Sequence, residues 1–197
     1  MKIKKLIVCL TVLMLSNCSE EEVLNTHSIP LVAMTSEETG ISFSNQLVYQ
    51  SDINILEYLY YYNGGGVAVG DINNDGLEDI YFTSNQGSDK LYLNQGDFKF
   101  KDITAVAGIY TDNSWSSGVT MEDVNNDGFL DIFVSKVGRH NSLLAHNLLY
   151  INNQDQTFTE STEALGLAFS GLSTQAAFID YDRDGDQDLF LLNHSIH

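Results

Sequence analysis

Basic residues are scarce in this chain: nine lysines and arginines stand against 27 aspartates and glutamates, a formal net charge of −18. Such a balance repels phosphate backbones and argues against nucleic-acid binding through a basic face. Cysteine is nearly absent as well. Cys9 and Cys18 both fall near the start, so the body of the chain has no pair for an internal disulfide. The apolar run from Leu6 to Leu15 is too short to span a bilayer. There is no H-E-x-x-H, no G-x-S-x-G and no conspicuous acid/base pair outside the acidic loops described below.

What is present at the N-terminus is "MKIKKLIVCLTVLMLSNCSEEE". Three lysines, an apolar core and a small polar patch read as a secretory signal over residues 1–17. "LSNC" resembles a bacterial lipobox with Cys18 as the lipid-bearing first mature residue, although Asn17 departs from the small residue usual there. An acidic linker, residues 18–30, follows; its "SEEE" looks like an export tag to the outer cell surface and reads equally well as a solvated spacer. Loss of the signal would leave six basic residues against 27 acidic ones, a charge near −21. The expected location is a bacterial outer membrane, reached through a lipid anchor at Cys18.

The acidic residues are not scattered. "DINNDGLEDI" from Asp71, "DVNNDGFLDI" from Asp123 and "DYDRDGDQDLF" from Asp180 repeat one loop, with starts 52 and 57 residues apart. Oxygen donors at positions 1, 3 and 5, glycine at 6, a backbone carbonyl at 7 and a carboxylate at 9 suit a hard cation such as Ca²⁺. An EF-hand would need glutamate at position 12 and flanking helices; Phe82, Val134 and Leu191 stand there instead. A dockerin would also continue into helices. Asx turns alone would explain one copy, but they do not require the ninth-position aspartate that recurs three times. Without a cation the clustered carboxylates would raise one another's pKa and strain each loop.

Alignable segments flank every loop. "GVAVGD", "GVTMED" and "QAAFID" precede them; "DIYFTS", "DIFVSK" and "DLFLLN" follow; "KLYLN" and "NLLYIN" come next in the first two copies. Each unit reads as strand, acidic loop, strand, strand, strand, which is a four-stranded propeller blade. The Gly/Ala/Val-rich strand suits the axis where blades converge, and Ile80, Phe82, Leu91 and Leu93 would fill the space between blades. Tyr92, Phe100, Tyr150, Phe158 and Trp115 read as packing residues. The run "YLYYYNGGG" from Tyr58 reads as one strand entering the first blade, with sugar stacking as the alternative. His140 and His146 flank an insertion six residues longer than its counterpart (Asp131 to Tyr150 spans 19, Asp79 to Tyr92 spans 13), either surface variation or a binding loop.

"GGGVAVGDINNDGLEDIYF", "NQGDFKFKDITAVAGI" and their later copies resemble the FG-GAP (VCBS-type) repeats of integrin-α-like propellers, nearest to the cartilage-acidic-protein-like and ASPIC/UnbV group. The resemblance covers residues 31–197. It implies an all-β propeller, usually of seven blades, holding structural Ca²⁺ through Asp71, Asn73, Asp75, Asp79, Asp123, Asn125, Asp127, Asp131, Asp180, Asp182, Asp184 and Asp188, with the carbonyls of Leu77, Phe129 and Asp186. It also implies a non-enzymatic surface module that binds an unidentified protein or glycan.

The expected organisation is a blade-closing strand at 31–45, repeat 1 at 58–109, repeat 2 at 115–167 and half a repeat at 172–197. A seven-bladed ring needs about 385 residues at roughly 55 per blade. These two and a half blades therefore read as the N-terminal part of a larger ring, expected to associate through its open edges. The competing function is a fragment of a propeller hydrolase or lyase whose active site lies in the missing blades.

Overall fold

The computed structural model describes residues 31–110 and 112–195. The chain divides into two units, Met1–Ala33 and Met34–His197; the architecture below is that of the second. The signal, Cys18 and the acidic linker lie outside the described residues.

Among the described residues there are twelve strands and one short helix, and the strands form antiparallel sheets in which chain order is largely sheet order. The first blade is β1 (Val67–Gly70), β2 (Asp79–Phe82), β3 (Lys90–Asn94) and β4 (Phe100–Asp102), paired in that sequence. The second is β5 (Ser116–Glu122), β6 (Asp131–Lys136), β9 (Leu148–Asn152) and β10 (Phe158–Glu160). Of the third blade, β11 (Ser173–Ile179) pairs with β12 (Asp188–Asn193). The insertion between β6 and β9 is a small hairpin of β7 (Gly138–His140) and β8 (Leu143–Leu144). The protein is thus an assembly of repeated antiparallel sheets with almost no helix, and the described residues close no ring.

Side-chain alternation assigns each strand to two interfaces, because successive residues face opposite sides of a sheet. On β6, Ile132 and Val134 pack toward the first blade with Tyr81, Leu91, Leu148 and Tyr150. Phe133 between them turns to the third blade and joins Leu149, Ala176 and Phe178. The sheets are layers stacked face on face, and both of these cores are inter-blade spaces.

Two glycines let the inner strands meet. A Cβ at Gly118 would lie 2.2 Å from the Thr174 carbonyl oxygen, and one at Gly66 would lie 2.9 Å from the Gly118 Cα. Polar bridges finish this seam. Thr120 Oγ1 donates to the Ala176 carbonyl at 2.7 Å, and Ser117 Oγ donates to the Ser173 carbonyl at 2.6 Å.

Two sequence expectations need correction. Residues 31–45 hold no strand; they hold α1 (Ser36–Thr39). Thr35 and Glu38 form a capping box, with Thr35 N–H on Glu38 Oε2 at 2.8 Å, and Gly40 ends the turn in the left-handed region at φ 81. The chain then docks beside β3, where Ser42 N–H donates to Tyr92 Oη at 3.3 Å. Tyr110 N–H meets Tyr150 Oη at 3.1 Å in the same way one blade on. The segment therefore docks on the first blade as a short helix and an extended stretch, without extending a sheet.

The tyrosine-rich run is not a strand either. Tyr58 N–H donates to the Asn54 carbonyl at 2.8 Å and Tyr61 N–H to the Tyr58 carbonyl at 3.0 Å, which are helical turns. These turns bury Tyr58 and Tyr61 against Trp115, Val137 and Leu172. The β7–β8 hairpin closes over them: His140 Nε2 bonds the Glu57 carbonyl at 2.9 Å, and Asn141 Nδ2 donates to the Asp52 carbonyl at 2.8 Å. Trp115 is a core residue.

Candidate metal centres

Each acidic loop joins the inner strand of a sheet to its neighbour: β1 to β2, β5 to β6, and β11 to β12. The loops therefore lead into strands, which removes the EF-hand geometry. Their internal bonding is the same three times. Asp71 Oδ1 accepts the Asp75 N–H at 3.1 Å and its Oδ2 accepts the Gly76 N–H at 2.7 Å. Asp123 repeats this with Asp127 at 3.0 Å and Gly128 at 2.8 Å, and Asp180 with Asp184 at 3.1 Å and Gly185 at 3.3 Å. The sixth-position glycines bend the chain at φ 86, 88 and 98, in the left-handed region open to glycine. The fifth-position carboxylates accept the seventh N–H: Asp75 from Leu77 at 2.9 Å, Asp127 from Phe129 at 2.9 Å, and Asp184 from Asp186 at 3.2 Å.

In the third loop, carboxylate oxygens of Asp180, Asp182 and Asp184 all lie within 4.8 Å of one another. In the first two loops asparagine replaces the middle carboxylate, and Asn73 Oδ1 and Asn125 Oδ1 accept the Asp75 and Asp127 N–H groups at 3.2 and 3.0 Å. This all-oxygen donor set suits a hard divalent cation and offers nothing to a soft one.

The ninth-position aspartates sit apart from the exposed ones. Asp79 and Asp131 are each only 1% exposed. Asp79 Oδ2 accepts the Ile72 N–H at 3.1 Å, and its Oδ1 accepts the Asn94 N–H at 2.7 Å. Asp131 does the same with Val124 at 3.1 Å and Asn152 at 2.8 Å. Burial pushes both carboxyls up to about 6; those N–H donors oppose the rise, and repulsion from the first and fifth aspartates adds to it. Asp188 is half-buried and accepts the Tyr181 N–H at 3.0 Å. Exposed Asp127 is held below its ordinary range, chiefly by the Phe129 N–H. Asp184 is lowered by the Asp186 N–H, whereas the Asp186 carboxyl is raised by its bond to Asp184.

Four asparagines complete the loops and carry no signal in a ligand pattern. Asn94 Nδ2 donates to the Glu78 carbonyl at 2.8 Å. Asn152 Nδ2 donates to the Leu130 carbonyl at 3.0 Å and also, across the blade boundary, to the Ile72 carbonyl at 2.8 Å. Asn74 and Asn126 occupy the fourth loop position. The repeated "LYLN"/"LYIN" and "NND" strings were the available clue.

The FG-GAP-like repeat pattern matches residues 71–134 and 138–191. These tandem acidic-loop sheets define a repeat protein, and the chain belongs to the FG-GAP-like repeat family. It is 28% identical to cartilage acidic protein 1 of Xenopus tropicalis over 166 residues, 83% of this chain and 25% of that protein. Cartilage acidic protein 1 of Homo sapiens is 30% identical over 137 residues, 69% of this chain and 20% of that protein. Integrin alpha-8 of Gallus gallus is 28% identical over 185 residues, 87% and 17% respectively. The chain thus spans a quarter or less of the length of these relatives.

Proposed function

We propose that this chain is a calcium-binding, non-enzymatic repeat module of an exported protein, in which Ca²⁺ fixes the loops between inner strands and the sheets present a surface to a protein or glycan. The observation that carries the reading is the threefold recurrence of one donor geometry, with an aspartate at positions 1, 5 and 9 each time. The side chains of Asp71, Asn73, Asp75 and Asp79 would hold the first ion with the Leu77 carbonyl. Asp123, Asn125, Asp127 and Asp131 with the Phe129 carbonyl would hold the second. Asp180, Asp182, Asp184 and Asp188 with the Asp186 carbonyl would hold the third. A bound cation supplies two positive charges that offset carboxylate repulsion. The loops themselves order the connecting turn and lock each inner strand against its neighbour. With coordination filled by protein oxygens, the role is structural.

Similarity to an integrin α chain and to cartilage acidic protein 1 supports export and a binding role. Lipidation at Cys18 and display at an outer membrane are the corresponding proposals for the N-terminus, and further blades from the rest of a longer protein are the expected neighbours of β12. Thermal unfolding of Asp75→Ala and Asp127→Ala with and without Ca²⁺ tests the reading. Both substitutions lower the midpoint in Ca²⁺ and change it little in chelator; equal losses in both buffers would refute a metal role.

A further inference from the structure

We propose that Asn74 and Asn126 couple the three acidic loops, so that a cation bound in one loop raises the affinity of the next. The inference rests on the calcium reading above and assigns regulation to those same sites. Asn74 Nδ2, in the first loop, donates to the Gly128 carbonyl of the second at 2.9 Å. Asn126 Nδ2, in the second, donates to the Gly185 carbonyl of the third at 3.0 Å. One contact is thus made twice, between successive blades, at the same loop positions.

Each bond lands on a peptide unit that already serves a candidate ligand. The peptide joining Gly128 and Phe129 gives its C=O to Asn74 and its N–H to Asp127 Oδ1, at 2.9 and 2.9 Å. The peptide joining Gly185 and Asp186 gives its C=O to Asn126 and its N–H to Asp184 Oδ1, at 3.0 and 3.2 Å. At the donor end, Asn74 precedes Asp75, whose N–H bonds Asp71 Oδ1 at 3.1 Å and Asn73 Oδ1 at 3.2 Å. A peptide is planar, so its C=O and N–H turn together. Fixing Asp127 orients the Gly128 carbonyl and with it the Asn74 side chain. The adjacent loop then loses less conformational entropy when its own ligands close.

Asparagine suits this place for two reasons. Both residues sit at φ 58, a left-handed conformation asparagine tolerates better than most side chains. Its amide also donates without adding charge to an acidic site. The third loop has Arg183 at φ 64 in the equivalent position, so the amide links run from the first loop to the third and end there. Buried Asn152 Nδ2 on the Ile72 carbonyl, at 2.8 Å, is a separate bond that keeps the first two blades in register when Asn74 is altered.

Asn74→Gly and Asn126→Gly retain the left-handed backbone and delete only the amide. Isothermal titration of the chelator-treated full chain with CaCl₂ reads stoichiometry and cooperativity. The wild type is expected to take up about three ions with a Hill coefficient above one. The double variant is expected to keep that stoichiometry, to lose the cooperativity, and to bind its later ions about fivefold or more weakly. Non-cooperative uptake by the wild type, or a double variant matching it, overturns the coupling and leaves calcium binding intact. No uptake overturns both. Asp184→Ala supplies a check that leaves the asparagines untouched: coupling is reciprocal, so loss of the third site must weaken the second, and unchanged affinity there overturns the proposal.

Discussion

Asp131 is bonded to Asn152, whose N–H donates to Asp131 Oδ1 at 2.8 Å, and the Asn152 side chain reinforces the link by donating to the neighbouring Leu130 carbonyl at 3.0 Å. An acidic loop at the inner edge of the sheet is thereby strapped to β9, 21 residues downstream. Asp79 and Asn94 make the same pair in the first blade.

Asp131→Ala should therefore destabilise the protein even without metal. It orphans the buried Asn152 N–H, at about 1–3 kcal/mol, and the half-buried Val124 N–H, which costs less. Asp188→Ala should cost less, because Asp188 is half-buried and, among the described residues, holds the Tyr181 N–H without a partner on the next strand. Urea unfolding in chelator measures both, and equal losses would refute the strap.

The pH dependence of the metal-free protein has a definite sign. Asp79 and Asp131 are raised from 3.8 to about 6 by burial, so the folded state holds their protons more tightly than the unfolded chain. Their contribution is fully present below about pH 4 and is lost as pH rises through about 6. Ca²⁺ favours the ionised carboxylates and offsets that loss. Comparing wild type with the Asp79→Asn/Asp131→Asn double variant in chelator isolates the effect: only the wild type should show this fall, and parallel curves would contradict it.

Lys136 is a buried cation, with Nζ 3.0 Å from Asp112 Oδ1 and 2.5 Å from Ser114 Oγ. Its side chain is 2% exposed, that of Asp112 28%. Asp112→Ala leaves the charge buried and should cost about 3–5 kcal/mol. Lys136→Met leaves Asp112 within reach of water but also takes the nearby cation away from buried Asp89, and should cost as much or more. Denaturant midpoints of the two variants check that order.

Gly118→Val should separate the second and third blades. Its Cβ would meet the Thr174 carbonyl oxygen and Gln175 Oε1, each at 2.2 Å. Overpacking of this kind costs about 1–3 kcal/mol or more. Loss of Phe133 and Phe178 burial, read by near-ultraviolet circular dichroism, is the expected signature; an unchanged spectrum would count against close contact at this seam.

The strand order and the acidic loops were legible because three copies could be aligned, so that turn chemistry and apolar alternation agreed at each repeat. What repetition did not cover was misread. Thr35 and Glu38 spelled a capping box, but likeness to the segment near Thr104 suggested a strand. Tyr58 and Tyr61 are three apart, a helical spacing, yet alternation of side chains between the faces of one strand explains the run equally well as sequence. The partners of Asp79 and Asp131 are backbone N–H groups 15 and 21 residues away, and no side-chain pattern announces those. The burial of Lys136 depends on Asp112 and Ser114 in another blade's connection, which "DIFVSK" alone does not disclose.

The account turns on divalent cations seated in the three loops. A crystal structure grown in calcium, with anomalous scattering recorded, addresses this most directly. It should place one ion among Asp71, Asn73, Asp75 and Asp79, and one in each of the two later loops. Anomalous maps without peaks there, with the loop hydrogen bonds still in place, would contradict it.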